Sequence, residues 1–278
     1  MNDYYVKNIS CNLCGYSDFK VIERAEPPFC VVKCTKCGLA FTTPQPSRTF
    51  TEEHYSQAYY DKWLKEQLPK RIPMWKKRLR GIKKYRKEGR LLDVGFGLGT
   101  FLKVAKDSGF EACGTEISEY ACGHAKNDLG IKVFNGTLKE AGFSDSQFDI
   151  VTLWHVLEHT PDPKDTLKEA CRIMKKNGLL VVAVPNLNNL ITRILYRLGR
   201  GKKLKIFSIK DKELHIYTFS TRTLVAMLEQ TGFRVLKVDL DLAQITFPKK
   251  IIDWLAFIVY LASGKNFGEA IKAYAVKR

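Results

Sequence analysis

The stretch Leu91-Leu92-Asp93-Val94-Gly95-Phe96-Gly97-Leu98-Gly99-Thr100 decides the fold. Its apolar start reads as a buried strand, its alternating glycines as a turn, and Thr100 as the beginning of a helix. A strand ending in Asp-x-Gly-x-Gly-x-Gly offers backbone amides where any side chain would collide with a nucleoside cofactor. A second strand follows from Gly109 and ends at Glu116, an acid able to accept two hydrogen bonds from a ribose diol. A dinucleotide fingerprint, Gly-x-Gly-x-x-Gly, needs a glycine at its sixth position. Thr100 stands there, and the third glycine comes one residue early at Gly99.

Outward from this run, strands alternate with helices. Strands are expected over 90–94, 111–115, 131–134, 148–153 and 179–184, with the helices between them stopped by Gly109, Gly130 and Gly178. A helix over 165–176 would set Leu167, Ala170, Cys171 and Met174 on one stripe. A helix over 221–231 and strands over 233–239 and 270–277 would complete seven strands. This order is that of an α/β protein with a parallel sheet, right-handed crossovers and a ligand over the strand carboxyl ends.

The glycine run resembles motif I of class I S-adenosylmethionine (SAM) methyltransferases, and Gly114-Thr115-Glu116 resembles their ribose-binding motif. The resemblance implies a Rossmann-like seven-stranded sheet with helices on both faces and an antiparallel last strand. It implies SAM as cofactor, held by Asp93 near the methionine amino group, by Gly95, Gly97 and Gly99, and by Glu116 at the ribose. The family usually carries an acid at the adenine-contacting turn. Asn135-Gly136-Thr137-Leu138 stands there instead, which leaves a backbone contact at Leu138.

Cys11-Asn12-Leu13-Cys14-Gly15 and Cys34-Thr35-Lys36-Cys37-Gly38 are two Cys-x-x-Cys-Gly knuckles, with nineteen residues between Cys14 and Cys34. Each offers two thiolates from a tight turn that its glycine closes. Four thiolates make a closed tetrahedral zinc site with no open position, hence a structural one. Strands over 19–24 and 29–33 would build the ribbon, and so few residues need the metal to fold. The zinc ribbon is expected over 1–45, a helical lid or linker over 46–88, and the methyltransferase domain over 89–278. The linker carries His54, Tyr55, Tyr59, Tyr60 and Trp63, which read either as a lid over the cofactor mouth or as helix packing. Pro73 is expected to open a basic helix that runs to Glu88.

The second signature runs from Phe148 to Pro163 and contains Trp154-His155-Val156-Leu157-Glu158-His159-Thr160-Pro161-Asp162-Pro163. His155, Glu158 and His159 stand at i, i+3 and i+4, one face of a helical turn at the end of a strand. Leu214-His215-Ile216-Tyr217-Thr218-Phe219-Ser220 adds a further His and Tyr. The combined pattern resembles a broad bacterial branch of class I methyltransferases, many of which sit beside sugar, lipid or cell-surface polymer pathways. Two mechanisms suit these residues. In one, His159 or His155 is a general base oriented by Glu158, as in the similar Glu-His pair of branched-sugar C-methyltransferases. In the other, Glu158, His159, His155 and His215 bind a catalytic divalent metal. Ubiquinone-biosynthesis O-methyltransferases and small-RNA 2′-O-methyltransferases resemble that arrangement. They carry Glu where this chain has His155, which favours a softer metal.

Net charge is +17, and two segments hold all of it. Residues 61–90 carry thirteen Lys/Arg against three acids, and 186–212 carry eight against one. These are either solvated helical faces or a surface for an anionic partner. The 186–220 segment is expected to be a substrate lid, with Ile191, Ile194, Leu195 and Leu198 on one stripe of a basic amphipathic helix. Such a helix either packs on the sheet or lies on an anionic membrane. Ile251 to Ser263 is apolar but too short to span a bilayer. The chain opens without a secretory signal, so it is expected in the cytoplasm, peripheral to the inner membrane face if the basic helix docks there. The expected substrate is a small hydroxylated molecule, a sugar or an anionic or lipid-linked saccharide precursor. An RNA substrate is the alternative, favoured by the ribbon and the charge.

Overall fold

A computed structural model describes residues 5–6, 10–47, 50, 57–211, 213–242 and 247–278, with 5–6, 57–69 and 247–249 described through the backbone alone. His54 and Tyr55, and the side chains of Tyr59, Tyr60 and Trp63, lie outside the described residues, and with them the aromatic lid.

The chain begins with β1 (Tyr5–Val6), β2 (Phe19–Arg24), β3 (Cys30–Cys34), β4 (Ala40–Thr43) and β5 (Gln45–Pro46). β2, β3 and β4 form an antiparallel meander, and β1 pairs with β5. Helix α1 (Gln57–Lys83) comes next. It runs through Pro73 and ends five residues before Glu88, where the sequence pointed to a helix opened by Pro73. An interior proline costs about 3 kcal/mol or more. Burial offsets that cost: Ile72, Trp75, Leu79 and Ile82 recur at helical spacing and pack into the core on one face of the main sheet.

The remaining elements are β6 (Arg90–Val94), α2 (Thr100–Lys106), β7 (Glu111–Glu116), α3 (Glu119–Asn127), β8 (Val133–Asn135), β9 (Phe148–Trp154), α4 (Pro163–Ile173), β10 (Met174–Pro185), α5 (Leu190–Arg200), β11 (Tyr217–Thr218), α6 (Thr221–Gln230), β12 (Phe233–Leu240), α7 (Phe247–Ser263) and β13 (Ala270–Lys277). Seven strands make one mixed sheet in the order β12-β13-β10-β9-β6-β7-β8. β13 runs antiparallel to both neighbours, as expected for this Rossmann-like methyltransferase fold.

Several boundaries differ from expectation: β8 starts at Val133 and not at residue 131, β10 starts at Met174 and not at residue 179, and both ends of α4 move for local reasons. α4 starts at Pro163 rather than Asp165, because Asp162 caps it by accepting the Asp165 N–H at 2.8 Å. It ends at Ile173, and Met174 already pairs with Phe148. Gly178 therefore stops no helix. It lies in an irregular part of β10, where a Cβ would stand 2.9 Å from the Lys175 carbonyl oxygen.

The sheet divides the core in two. On one face Leu79, Ile82, Phe101, Leu102, Cys122 and Trp154 pack together. On the other, Leu153, Leu167, Leu180, Leu224 and Met227 share a core with Leu13, Val32, Leu39 and Phe41 of the amino-terminal module. β11 joins the ribbon meander, with Tyr217 opposite Phe41 and Thr218 opposite Ala40. Gln45 Nε2 donates to the Tyr217 hydroxyl at 3.0 Å, and that hydroxyl donates to the Pro161 carbonyl at 3.2 Å. The ribbon is thus sewn to the loop that follows β9.

Candidate active site

The glycine run sits where β6 ends. Gly95, Gly97 and Gly99 all have positive φ, between 57° and 71°. At Gly95 a Cβ would stand 2.6 Å from Val156 Cγ2, so only glycine fits. At Gly97 a Cβ would meet nothing within 4 Å, so the turn borders open space. Glu116 ends the next strand, and its carboxylate accepts the Gly97 N–H at 2.9 Å and the Ser118 N–H at 3.0 Å. Asp93 is buried and accepts a hydrogen bond from Thr152 Oγ1 at 2.6 Å. Burial pushes its carboxyl up to about 8, against the pull of Thr152 and of the nearby Arg78. A buried carboxyl beside an open glycine turn fits a cationic amino group and an adjacent nucleoside, which is the donor set that SAM requires. Leu138 is buried in the core, and Glu140 Oε2 accepts the neighbouring Thr137 N–H at 2.8 Å.

Trp154 ends β9, and His155 takes positive φ (56°) as the chain turns into a short 3-10 turn, Leu157–His159. Expectation put His155, Glu158 and His159 on one face of one helical turn. The turn instead sends the two imidazoles into different surroundings, with both still in reach of Glu158 Oε1. His155 Nε2 lies 3.4 Å from Asp241 Oδ2 and 3.2 Å from Arg78 Nη2, and its Nδ1 lies 3.5 Å from Glu158 Oε1. His159 turns the other way: its ring stands 5.0 Å from that of His215, and its Nε2 lies 4.0 Å from Glu158 Oε1. His159 Nδ1 donates to the Leu214 carbonyl at 2.8 Å, which makes Nε2 the basic nitrogen.

Glu158 is fully buried, and its contacts are long ion-pair ones, with His155 Nδ1 at 3.5 Å and His159 Nε2 at 4.0 Å from Oε1. Two imidazoles therefore offset the cost of burying this carboxylate, which no short hydrogen bond meets. Burial alone would raise its pKa, but His155, His159 and His215 hold it below the ordinary value. Burial lowers the pKa of His159 despite the Glu158 charge. For His155 burial also works downward, but its bonds to Asp241 and Glu158 win and hold it up at about 9. One ligand atom each from Glu158, His159 and His215 lie within 4.8 Å of one another, so these three could hold a cation; His155 falls outside that grouping and bridges Glu158 to Asp241 and Arg78.

Sequence reasoning missed that network. Arg78 on α1 pairs with Asp241 just after β12, and both are buried. Its guanidinium lies against both Trp75 and Trp154, 4.7 and 4.6 Å from the ring centroids, where the two rings meet edge to face. Arg78 was one of thirteen basic residues in its segment, with nothing to single it out except Trp75 three residues earlier. Glu213 Oε2, 3.8 Å from His215 Nε2, was missed too.

At the ribbon, Cys11 Sγ lies 3.4 Å from Cys37 Sγ and Cys14 Sγ lies 3.6 Å from Cys34 Sγ. All four sulfurs fall within 4.8 Å of one another. Four thiolates about 2.3 Å from a tetrahedral zinc stand roughly 3.8 Å apart. The Gly15 N–H donates to the Cys11 carbonyl at 2.7 Å and the Gly38 N–H to the Cys34 carbonyl at 3.0 Å, closing both knuckles.

The sheet order and the glycine turn define a SAM-dependent methyltransferase. The methyltransferase domain model matches residues 60–238, and the chain belongs to that family. A protein of Methanocaldococcus jannaschii is 28% identical over 178 residues, covering 64% of this chain and 78% of that protein. The ubiquinone biosynthesis O-methyltransferase of an Azoarcus strain is 31% identical over 105 residues, 36% of this chain, and only 45% of that enzyme's length is matched. A solved SAM-dependent methyltransferase from Thermotoga maritima shares the fold at 23% identity, with a TM-score of 0.55 over 80% of this chain and 96% of that one.

Proposed function

We propose that the protein transfers a methyl group from SAM to a hydroxyl of a small acceptor, a sugar or a lipid-linked saccharide precursor. The observation that carries this is the buried Glu158 carboxylate, flanked by His155 and His159 at ion-pair distance and met by no short hydrogen bond. Such a group is poised to hold a substrate donor or to orient a base. SAM, when bound, supplies an electrophilic methyl. Asp93, Gly95, Gly97, Gly99, Glu116 and the backbone at Leu138 would hold it. The chain's own part is to take the acceptor proton: His159 Nε2 receives it, and Glu158 stabilises the imidazolium that forms. The partial match to an O-methyltransferase supports oxygen as the acceptor atom.

We propose structural zinc at Cys11, Cys14, Cys34 and Cys37, supported by the sulfur spacing. A second reading of the catalytic cluster is a divalent cation on Glu158, His159 and His215, supported by their 4.8 Å grouping. That ion would lower the acceptor hydroxyl's pKa. Initial rates that survive brief chelation favour the base, and rates that vanish and return with added cation favour the ion.

The test incubates pure protein and methyl-labelled SAM with a methyl-poor lysate, beside Glu158→Gln. Label in small molecules or lipid, absent with the variant, supports the reading. Label in RNA, or label independent of Glu158, overturns it.

A further inference from the structure

α5 and α7 touch each other and leave the sheet at one edge. α5 follows the carboxyl end of β10, and α7 precedes the start of β13, which pairs with that same end. If α5 were a lid packed on the sheet, its apolar stripe would be covered. Only part of it is: Ile191 and Leu195 are half-buried, while Leu190, Ile194 and Leu198, spaced four apart, are exposed at 49%, 48% and 78%. The one buried α5 residue is Thr192. α7 repeats the pattern. Ile251, Trp254, Ile258 and Leu261, at i, i+3, i+7 and i+10, are exposed at 47%, 61%, 41% and 68%, while Ala256 faces inward. Two contacting helices thus each present an apolar stripe to solvent, and a contiguous exposed apolar surface marks an interaction site.

The charge around these stripes selects what covers them. Residues 190–203 carry five Lys/Arg and no acid, and 247–265 carry three Lys and Asp253. Arg197, Arg200, Lys202, Lys203, Lys250 and Lys265 are exposed. The basic rim continues into a cleft of about 870 Å³ at the helix ends, lined by Lys20, Lys33, Lys36, Arg222 and Lys265. A second copy meeting this face would set like charge against like charge. An anionic bilayer satisfies both features, since acyl chains accept the stripes and headgroups the rim. No helix among the described residues is long and apolar enough to cross a membrane, so the helices would lie in the interface plane.

We infer that α5 and α7 form a monotopic docking surface for an anionic phospholipid bilayer, at the sheet edge that carries the candidate site. The inference is independent of the acceptor, because its test reads binding and not methylation.

The full chain is sedimented with vesicles of phosphatidylcholine alone and of equimolar phosphatidylcholine and phosphatidylglycerol. The protein pellets with the anionic vesicles at low salt and less at high salt. Arg197→Glu with Arg200→Glu reduces partition by about tenfold or more, since each basic residue near the surface contributes roughly fivefold and each reversal also adds repulsion. Leu198→Glu with Trp254→Glu abolishes it, with melting temperature and SAM binding unchanged. Wild-type protein that stays in the supernatant at low salt with both vesicles overturns the inference. So does a wild-type dimer that ignores vesicles and that Leu198→Glu with Trp254→Glu makes monomeric, because a second copy then covers the face.

Discussion

Arg78 donates through Nε to Asp241 Oδ1 at 3.3 Å across 163 residues of sequence. The pair fastens the helix before the sheet to the loop after its penultimate strand, under His155. Breaking a buried ion pair leaves one charge uncompensated and costs about 3–5 kcal/mol, whereas apolar replacement of both partners is often neutral. Asp241→Asn is therefore expected to be strongly destabilised. Arg78→Met with Asp241→Leu should recover only part of the loss, because His155 and Lys272 still lose the Asp241 carboxylate, and urea unfolding of the single and double variants measures both.

His155 gives that cluster a pH dependence. It faces Asp241, Arg78 and Glu158, and Lys272 Nζ lies 3.6 Å from Asp241. Its folded pKa of about 9 stands above the ordinary 6.5, so between those values the folded protein holds the extra proton. The stabilisation is full below 6.5 and lost as pH rises through 9. Melting temperatures across this window should fall more steeply for wild type than for His155→Gln. Equal slopes would remove His155 as the cause.

Asp93 titrates in the opposite sense of use. With its carboxyl raised to about 8, it is mostly protonated at neutral pH in the free protein. A cation docking beside it needs the carboxylate, so SAM binding should release a proton near pH 7. Calorimetry in buffers of different ionisation enthalpy reads that proton directly. Asp93→Asn should release none and bind about tenfold or more weakly, on the scale of a lost hydrogen bond to a charged group. Wild-type binding with no proton release would show that Asp93 does not face the cation.

Glu158→Gln and His159→Ala separate chemistry from folding. Glu158 Oε1 lies 3.5 Å from His155 Nδ1, so Glu158→Gln should lower the melting temperature while leaving the protein folded at assay temperature. Both variants should keep SAM affinity and lose roughly a hundredfold or more in turnover, the typical contribution of a general base. Unchanged turnover in both would move the proton acceptor elsewhere.

The ribbon metal has a remote effect. One zinc per chain is expected by elemental analysis, and Cys34→Ser should abolish it. Since Tyr217 pairs with Phe41, loss of the metal should also loosen the 213–220 segment, read as faster amide exchange there. Protection unchanged across that segment would mean the ribbon holds its shape without metal.

The sheet was legible because buried strands and glycine turns are local signals. The strands from Arg90 and from Ala270 stand at the expected residues, and the antiparallel course of the last is the one the family resemblance implied. The cluster of Glu158, His159 and His215 was legible in part, since its members fall in two recognisable motifs. What escaped was long-range or context-bound. Nothing near Arg78 announces Asp241, and Pro73 breaks a helix only where packing does not repay it. The positive φ at His155, which turns it from its neighbours toward Asp241, belongs to the turn as folded and not to the i, i+3, i+4 pattern.

The two-residue strand Tyr217–Thr218 makes the ribbon something other than an exchangeable cassette. A ribbon grafted from another protein would fill the same volume and bind the same metal. It would still have to bring an edge strand in register with Tyr217, or His215 two residues upstream would lose its anchor. Changes in the amino-terminal module and in the 213–220 segment must therefore be inherited as matched pairs.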